Sequence, residues 1–426
     1  MSDQPPLLRY SPGSAPARSL EFVFVGREHL VQPALDSVAD LLGDHGAAHH
    51  LFVGERGMGK SHLVSMIAGR LRRRYSAEDV RVVRLDEDPW SIRDYPGLLS
   101  AIVSRLGVAA PEGDVRDLEN TLTDAAAEVP VVVIVENLGE VFGRIGADGR
   151  ARLRAALENS RRITLLATAP ERPVHITRHT EPFFGFFDVS DLLPLEVDEI
   201  VELVRRVARY SGHQDVSEFV TTDEGRAALA GAHGLLGGQP RVWTILGEIS
   251  TVASLREPAA LIRRVLDDLL PQYQDRVGAL PPDQQAIVLL MVEAGGALTV
   301  RQIAAGIGVD QRSASSQLRH LATKGWVGTA PALTVDAGGD RRSAYYELRE
   351  PLVRLCIQIK TGRGVPLDAA LAYATGHPVA AEPGAMIESA LEAFRADRDR
   401  AHLMVLPREW RTVAQQRLAE EAVAAG

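Results

Sequence analysis

Lysine is almost missing from this 426-residue chain: of its 47 basic residues, three are lysine (Lys60, Lys324 and Lys360) and 44 are arginine. Cysteine occurs once, at Cys356, so no intrachain disulfide can form, and the usage fits a reducing compartment. Long hydrophobic runs are absent too. The strongest, VPVVVIV at 129–135, is far below the roughly 20 residues of a membrane span. Positive charge is not in excess, for the net charge is −9, so no chain-wide field draws it onto nucleic acid or an anionic membrane. The opening MSDQPPLLRYSPGSAPARS has no basic stretch followed by an apolar one, which argues against a secretory signal. Its Pro and Ser content predicts a flexible leader over 1–20. No internal repeat is visible. With 46% hydrophobic and 24% charged residues, the composition is that of a soluble, cytoplasmic globular protein of two or three domains.

What is present falls into blocks. After FVFV (22–25), GREHLVQPALDSVADLL has helical spacing, with Leu30, Leu35, Val38, Leu41 and Leu42 on one side. HHLFVG, VRVVRLDED (80–88), VPVVVIVEN (129–137) and RRITLLATAP (161–170) are short and continuously apolar. Strands buried on both faces of a parallel sheet read this way. Helical segments alternate with them, so residues 21–190 are expected to form an α/β core with helices on both faces. Beyond about 190 the strand patterns stop, and 191–275 read as an all-helical module. Over 276–365 come three helices, QQAIVLLMVEAG, VRQIAAGIG and QRSASSQLRHLATKGW, then a strand–loop–strand, the order of a winged helix-turn-helix. Residues 366–426 are Ala-rich and helical in pattern, with breaks expected at Pro378 and Pro383. The closing EWRTVAQQRLAEEAVAAG suits either a helix packed on its own domain or one docking on a neighbour.

One of the three lysines stands in GERGMGKS, a match to G-x-x-x-x-G-K-[ST] from Gly54 to Ser61. Gly54, Gly57 and Gly59 permit a tight loop whose N–H groups face one anion. Lys60 reaches the β- and γ-phosphates as a compact charge, which arginine's planar fork replaces poorly. Ser61 supplies a hydroxyl to Mg2+, and the following helix aims its positive end at the phosphates. Met58 and His62 complete the expected nucleotide-binding stretch. The second half of such a site is an apolar strand ending in an acid. VVVIVENL offers Glu136, followed by Asn137 where an acid usually activates water. Glu136 therefore orients the metal's shell or serves as base, with Glu140 one turn on as a fallback, and hydrolysis is expected to be slow.

In the winged-helix block, Leu318 and Leu321 face the core of the third helix. Arg312, Arg319 and Lys324 are left for solvent or double-stranded DNA, with Arg341 and Arg342 at the wing tip. Residues 283–350 carry seven basic and seven acidic side chains, so the basic footprint usual in a DNA module is missing.

FVGREHL, GERGMGKS, VVIVENL, ITLLATAP and GGQPRVW together resemble an AAA+-related P-loop ATPase. The likeness spans about residues 21–360. It is greatest to the branch uniting origin-recognition ATPases, STAND signalling ATPases and archaeal-type ATPases. The resemblance implies ATP or ADP with Mg2+ as ligands and further roles by position. Val25, Gly26 and Arg27 would lie at the adenine, and Thr168 would be a polar sensor near the γ-phosphate. Arg241 would reach back from the helical lid to the phosphates. Arg178 would act on a neighbouring subunit's nucleotide, which implies a homo-oligomer or another protein partner. Three functions fit. The first is a slowly hydrolysing switch that couples nucleotide state to the winged helix in signalling, defence or transcription control. The others are an origin-type DNA-binding ATPase and an ATP-sensing transcription regulator.

Overall fold

The computed structural model describes residues 16–43, 46, 48–85, 92–109, 111, 114–330, 333, 344–349, 351–361 and 381–425. They divide into two compact units, one of residues up to 195 with 239–244, the other of 196–238 with 245 onward.

The first unit is built on five parallel strands, β1 (His50–Val53), β2 (Arg81–Arg84), β3 (Val131–Val135), β4 (Ile163–Ala169) and β5 (Asp188–Asp191), in the order β2-β3-β4-β1-β5. β3 shows why the apolar runs do not alternate. Val131, Val133 and Val135 pack under α4 (Tyr95–Arg105), α5 (Val115–Glu128) and α6 (Leu138–Ser160). Val132 and Ile134 face the opposite way, onto α2 (Glu28–Leu42) and α3 (Lys60–Arg74). Each residue of the strand thus leaves water, at roughly 1.5–3 kcal/mol per large side chain. Along α2, Val31, Leu35, Val38 and Leu41 are buried, and Leu42 is exposed. α4 begins where Asp94 accepts the Gly97 N–H at 2.8 Å, and α5 begins with a reciprocal Asp114/Asp117 cap.

Two features depart from the pattern read above. Ala17–Phe22, which overlaps the end of the expected leader, is a helix (α1) that buries Ser19 and Leu20. β5 lies at 188–191 with the sequence DVSD and has no apolar signature. It is the sheet edge, paired only to β1, so both of its faces need not be dry.

The second unit starts with helices α8 (Val197–Tyr210), α9 (Gln214–Phe219) and α10 (Asp223–Leu236). α11 (Pro240–Ile249) crosses the division between the units, and α12 (Val252–Arg256) and α13 (Pro258–Gly278) follow. Next come α14 (Pro282–Ala294), strand β6 (Leu298–Thr299), α15 (Val300–Ile307), α16 (Gln311–Thr323), and strands β7 (Val327–Thr329) and β8 (Tyr345–Leu348). β8 is antiparallel to both β6 and β7, so the wing carries a third strand that was too short to read in the sequence. Ile287, Met291, Ile303, Ala314, Leu318, Leu321 and Val327 form its dry interior.

Helix α17 (Pro351–Thr361) follows, and its Cys356 is fully buried, with Sγ 3.7 Å from the Leu266 carbonyl. Helices Ala381–Asp397, Ala401–Met404 and Arg408–Ala425 close the chain. Position 383 does not break the first of these. It falls in the first turn, where a proline has no intrahelical N–H bond to lose. Position 378 lies outside the described residues. These helices bury Ile387, Leu391, Phe394, Leu403, Trp410 and Ala414. They join the winged helix through the Ala297 N–H to the Met404 carbonyl (2.9 Å) and a buried Arg411–Glu347 ion pair. Among the described residues, no helix is long and apolar enough to cross a membrane.

Candidate functional site

The loop between β1 and α3 gathers the predicted phosphate-binding residues. Gly57 (φ 84°) and Gly59 (φ 83°) adopt left-handed backbone, and Gly59 caps α3 with no side chain of its own. That leaves the first-turn N–H groups pointing into the loop, which is what an anion requires. A Cβ at Gly57 would come within 3.0 Å of the Gln239 Oε1, and one at Gly54 within 3.1 Å of the Leu192 Cβ. Gly57 is thus favoured by dihedral and by close approach, Gly59 by dihedral and Gly54 by close approach. Lys60 is buried, and its Nζ donates to the carbonyls of Gly54 (2.6 Å) and Glu55 (2.9 Å), across the mouth of the loop. Met58 turns into the core between the sheet and α3.

Glu136, one residue past β3, is 2% exposed and accepts a hydrogen bond from the Ser61 hydroxyl. Two oxygen ligands from separate elements thus converge. Among the described residues, no group of three or more His, Cys, Asp or Glu gathers. A hard dication held here would complete its shell with phosphate and water. Asn137 follows in the left-handed region (φ 53°), a conformation Asn tolerates better than most residues. Its N–H lies 3.4 Å from the Oγ1 of Thr168, itself buried in β4. Glu140, the fallback acid, is instead ion-paired with Arg144 at 2.8 Å.

The other predicted residues are placed as follows. Arg241 opens α11, and its N–H donates to the Gly57 carbonyl at 3.3 Å. Gly26 has φ 75° and is exposed, and Val25 is half-buried. Arg27 is buried and donates to the Leu193 carbonyl at 2.9 Å. His62 points away from the loop, its Nε2–H donating to the Leu20 carbonyl at 2.9 Å, and burial pushes its pKa down to about 4. Arg178 ends a short helix, α7 (Val174–Thr177), and is exposed. On α16, Arg312 and Arg319 are exposed, as is Lys324 just past its end. Asp310 caps that helix through the N–H groups of Arg312 (2.9 Å) and Ser313 (3.0 Å). Arg341 and Arg342 lie outside the described residues.

Three residues at the site went unread in the sequence. Gln239 touches the loop at Gly57, within the GGQPR box where only the arginine was assigned a role. Arg84, at the end of β2, pairs with Glu136, and Ser65 on α3 accepts from Arg84 at 2.7 Å. The only available signal for Arg84 was a charge closing a strand beside the one that carries Glu136.

Residues 281–343 match the MarR family. No curated protein matches the chain. Among solved structures, the chain is similar to the Walker-type ATPase paby2304 of Pyrococcus abyssi. The two share 15% identity and a TM-score of 0.54, over 79% of this chain and 96% of that one. It is also similar to the ORC2 protein of Aeropyrum pernix, solved as ADPNP and ADP complexes. There the identity is 14% and the TM-score 0.51, over 79% of this chain and 95% of that one. The chain thus shares the fold of the Walker-type ATPase paby2304 and of the ORC2 protein, and its residues 281–343 match the MarR family.

Proposed function

We infer that this chain binds ATP between Gly54 and Ser61, hydrolyses it slowly, and uses the nucleotide state to switch its winged helix. The observation that supports this best is the convergence of a lysine, a bare helix N-terminus, a hydroxyl and a buried acid on one glycine loop. In and around the loop stand Arg56, Lys60, Arg84 and Arg241 against the carboxylates of Glu55 and Glu136, a balance that suits a polyanion. The nucleotides held by the Aeropyrum pernix protein are of the class expected here. Bound Mg2+ would be held by Ser61 and Glu136 and would neutralise charge on the β- and γ-phosphates. Asn137 stands where a second acid usually activates water, so Glu136 is left to serve both the metal and the water, and this supports slow turnover. A long-lived ATP state suits a switch of the signalling kind. Arg241 would report the nucleotide, a role supported by its backbone N–H, which donates to the Gly57 carbonyl at 3.3 Å. Arg178, exposed beyond β4, would act on a neighbour's nucleotide in a homo-oligomer.

A second reading, DNA binding, is favoured by the exposed Arg312, Arg319 and Lys324 on and just past the helix of the MarR-type segment. Steady-state ATP turnover, without and with duplex DNA and with Lys60→Ala as control, tests both. Turnover well below 1 per second, lost in Lys60→Ala and indifferent to DNA, is the expected result for the switch. A rise with DNA would move the conclusion to the second reading. Unchanged nucleotide affinity in Lys60→Ala would remove the site itself.

A further inference from the structure

Arg84 is the last residue of β2, in register with Ile134 of β3, two residues short of Glu136. This register sets its guanidinium beside the acid. One Nη donates to the Glu136 Oε1, and the other donates to the Ser65 Oγ at 2.7 Å. Ser65 sits one turn beyond Ser61 on α3, and its hydroxyl donates to the Ser61 carbonyl at 2.5 Å. The second carboxylate oxygen, Oε2, accepts from the Ser61 hydroxyl. Glu136 is 2% exposed in its side chain and Arg84 21%. The acid assigned to the metal therefore already holds a full positive charge of the chain's own, locked in place by α3. The sheet does not need that arginine, because β2 contributes its apolar contacts through Val82 and Val83. A buried carboxylate does need a cation, since one left unpaired is costly.

We propose that Arg84 is a positioning residue that serves as the resident counter-cation of Glu136 and competes with Mg2+ for its carboxylate, so that nucleotide binding gains little from the metal. This rests on the nucleotide-site reading above. A guanidinium within hydrogen-bond reach of the carboxylate opposes a second positive charge on its other oxygen. Nucleotide is then held chiefly by Lys60 and the backbone N–H groups, and Mg2+ adds weakly.

The test is the ratio of dissociation constants for a fluorescent ATP analogue in chelator and in Mg2+, measured on the full chain. In the wild type this ratio is expected to stay within about threefold, and Arg84→Gln raises it by about tenfold. Arg84→Lys, which restores a cation, returns it to the wild-type value. A merely structural arginine would alter stability and leave the ratio alone. Should Arg84→Gln fail to fold, Ser65→Ala decides. It frees one end of Arg84 and is expected to raise the ratio by a few-fold. A wild-type ratio above tenfold, or an unchanged ratio in Arg84→Gln or Ser65→Ala, overturns the role of Arg84 while binding that is lost in Lys60→Ala keeps the nucleotide site. Binding that survives Lys60→Ala overturns the nucleotide site instead.

Discussion

Lys60 and the histidines behind it show how far a side chain's role depends on what surrounds it. Lys60 is accommodated in a buried position where its ammonium donates hydrogen bonds to two carbonyls. His62, two residues on, is half-buried beside Arg27 and Glu21, and desolvation holds it uncharged, down to a pKa of about 4. His49 behaves alike. Its Nδ1 accepts the Leu165 N–H at 3.1 Å, its ring stacks on Phe186, and burial lowers its pKa to about 4. Burial lowers His50 as well. Each folded pKa lies below the unfolded one near 6.5, so these groups cost the fold nothing above pH 6.5. As pH falls toward 4 the unfolded chain takes up protons that the folded chain refuses, and stability drops by about 1.4 kcal/mol per pH unit for each of His49 and His62. Glu202, held down to about 2 by Arg205 and Arg206, acts only below about pH 4.5, outside the span between pH 7 and pH 5. Urea midpoints at pH 7 and pH 5 should therefore differ, and His62→Gln should remove about 2 kcal/mol of the difference. An equal drop in wild type and mutant would show that His62 titrates normally.

Elements are joined here by backbone approaches as well as by side chains. A Cβ at Gly296, just before β6, would meet the Val405 carbonyl oxygen at 2.3 Å and the Met404 carbonyl oxygen at 2.7 Å. Both are main-chain atoms and cannot rotate aside. Gly296→Ala is expected to push the Ala401–Met404 helix off β6, break the bond from Ala297 to Met404, and destabilise by about 1–3 kcal/mol. Gly308→Ala probes a different cause: its φ is 74° with open space around it, so it pays only the left-handed strain of about 1 kcal/mol. Thermal unfolding of the pair separates the two, and Gly296→Ala at or above the stability of Gly308→Ala would contradict the close approach. At this scale the sequence was informative where a pattern repeats within one element. α16 was legible from the spacing of Leu318 and Leu321, and β3 from its unbroken apolar run. β5 and β6 were not, because an edge strand and a two-residue strand carry no periodicity.

Across the whole molecule, the helices after 380 form part of the second unit. Arg411 is 4% exposed and its partner Glu347, on wing strand β8, is 11% exposed. Removing residues 381–426 takes Arg411 from Glu347 and strips cover from the wing. The truncated chain is expected to lose about 3–5 kcal/mol in the winged-helix part. Arg411→Met should show most of that loss while keeping every helix, and calorimetry with Tm and enthalpy measures both. A truncated chain with unchanged stability would instead mark the C-terminal helices as a separate attachment.

By itself the sequence determined the nucleotide loop, the layered α/β core and the three-helix block with its wing. Each is written in a short window: glycines and a lysine at fixed spacing, apolar runs of four to seven residues, or leucines on one helical face. Only the tertiary structure decided that Arg84 meets Glu136 across 52 positions, that Gln239 closes on Gly57, and that Arg411 meets Glu347 across 64. Such pairings depend on strand order and on which helix returns to which loop. One arginine among 44 carries no local mark of the carboxylate it will find.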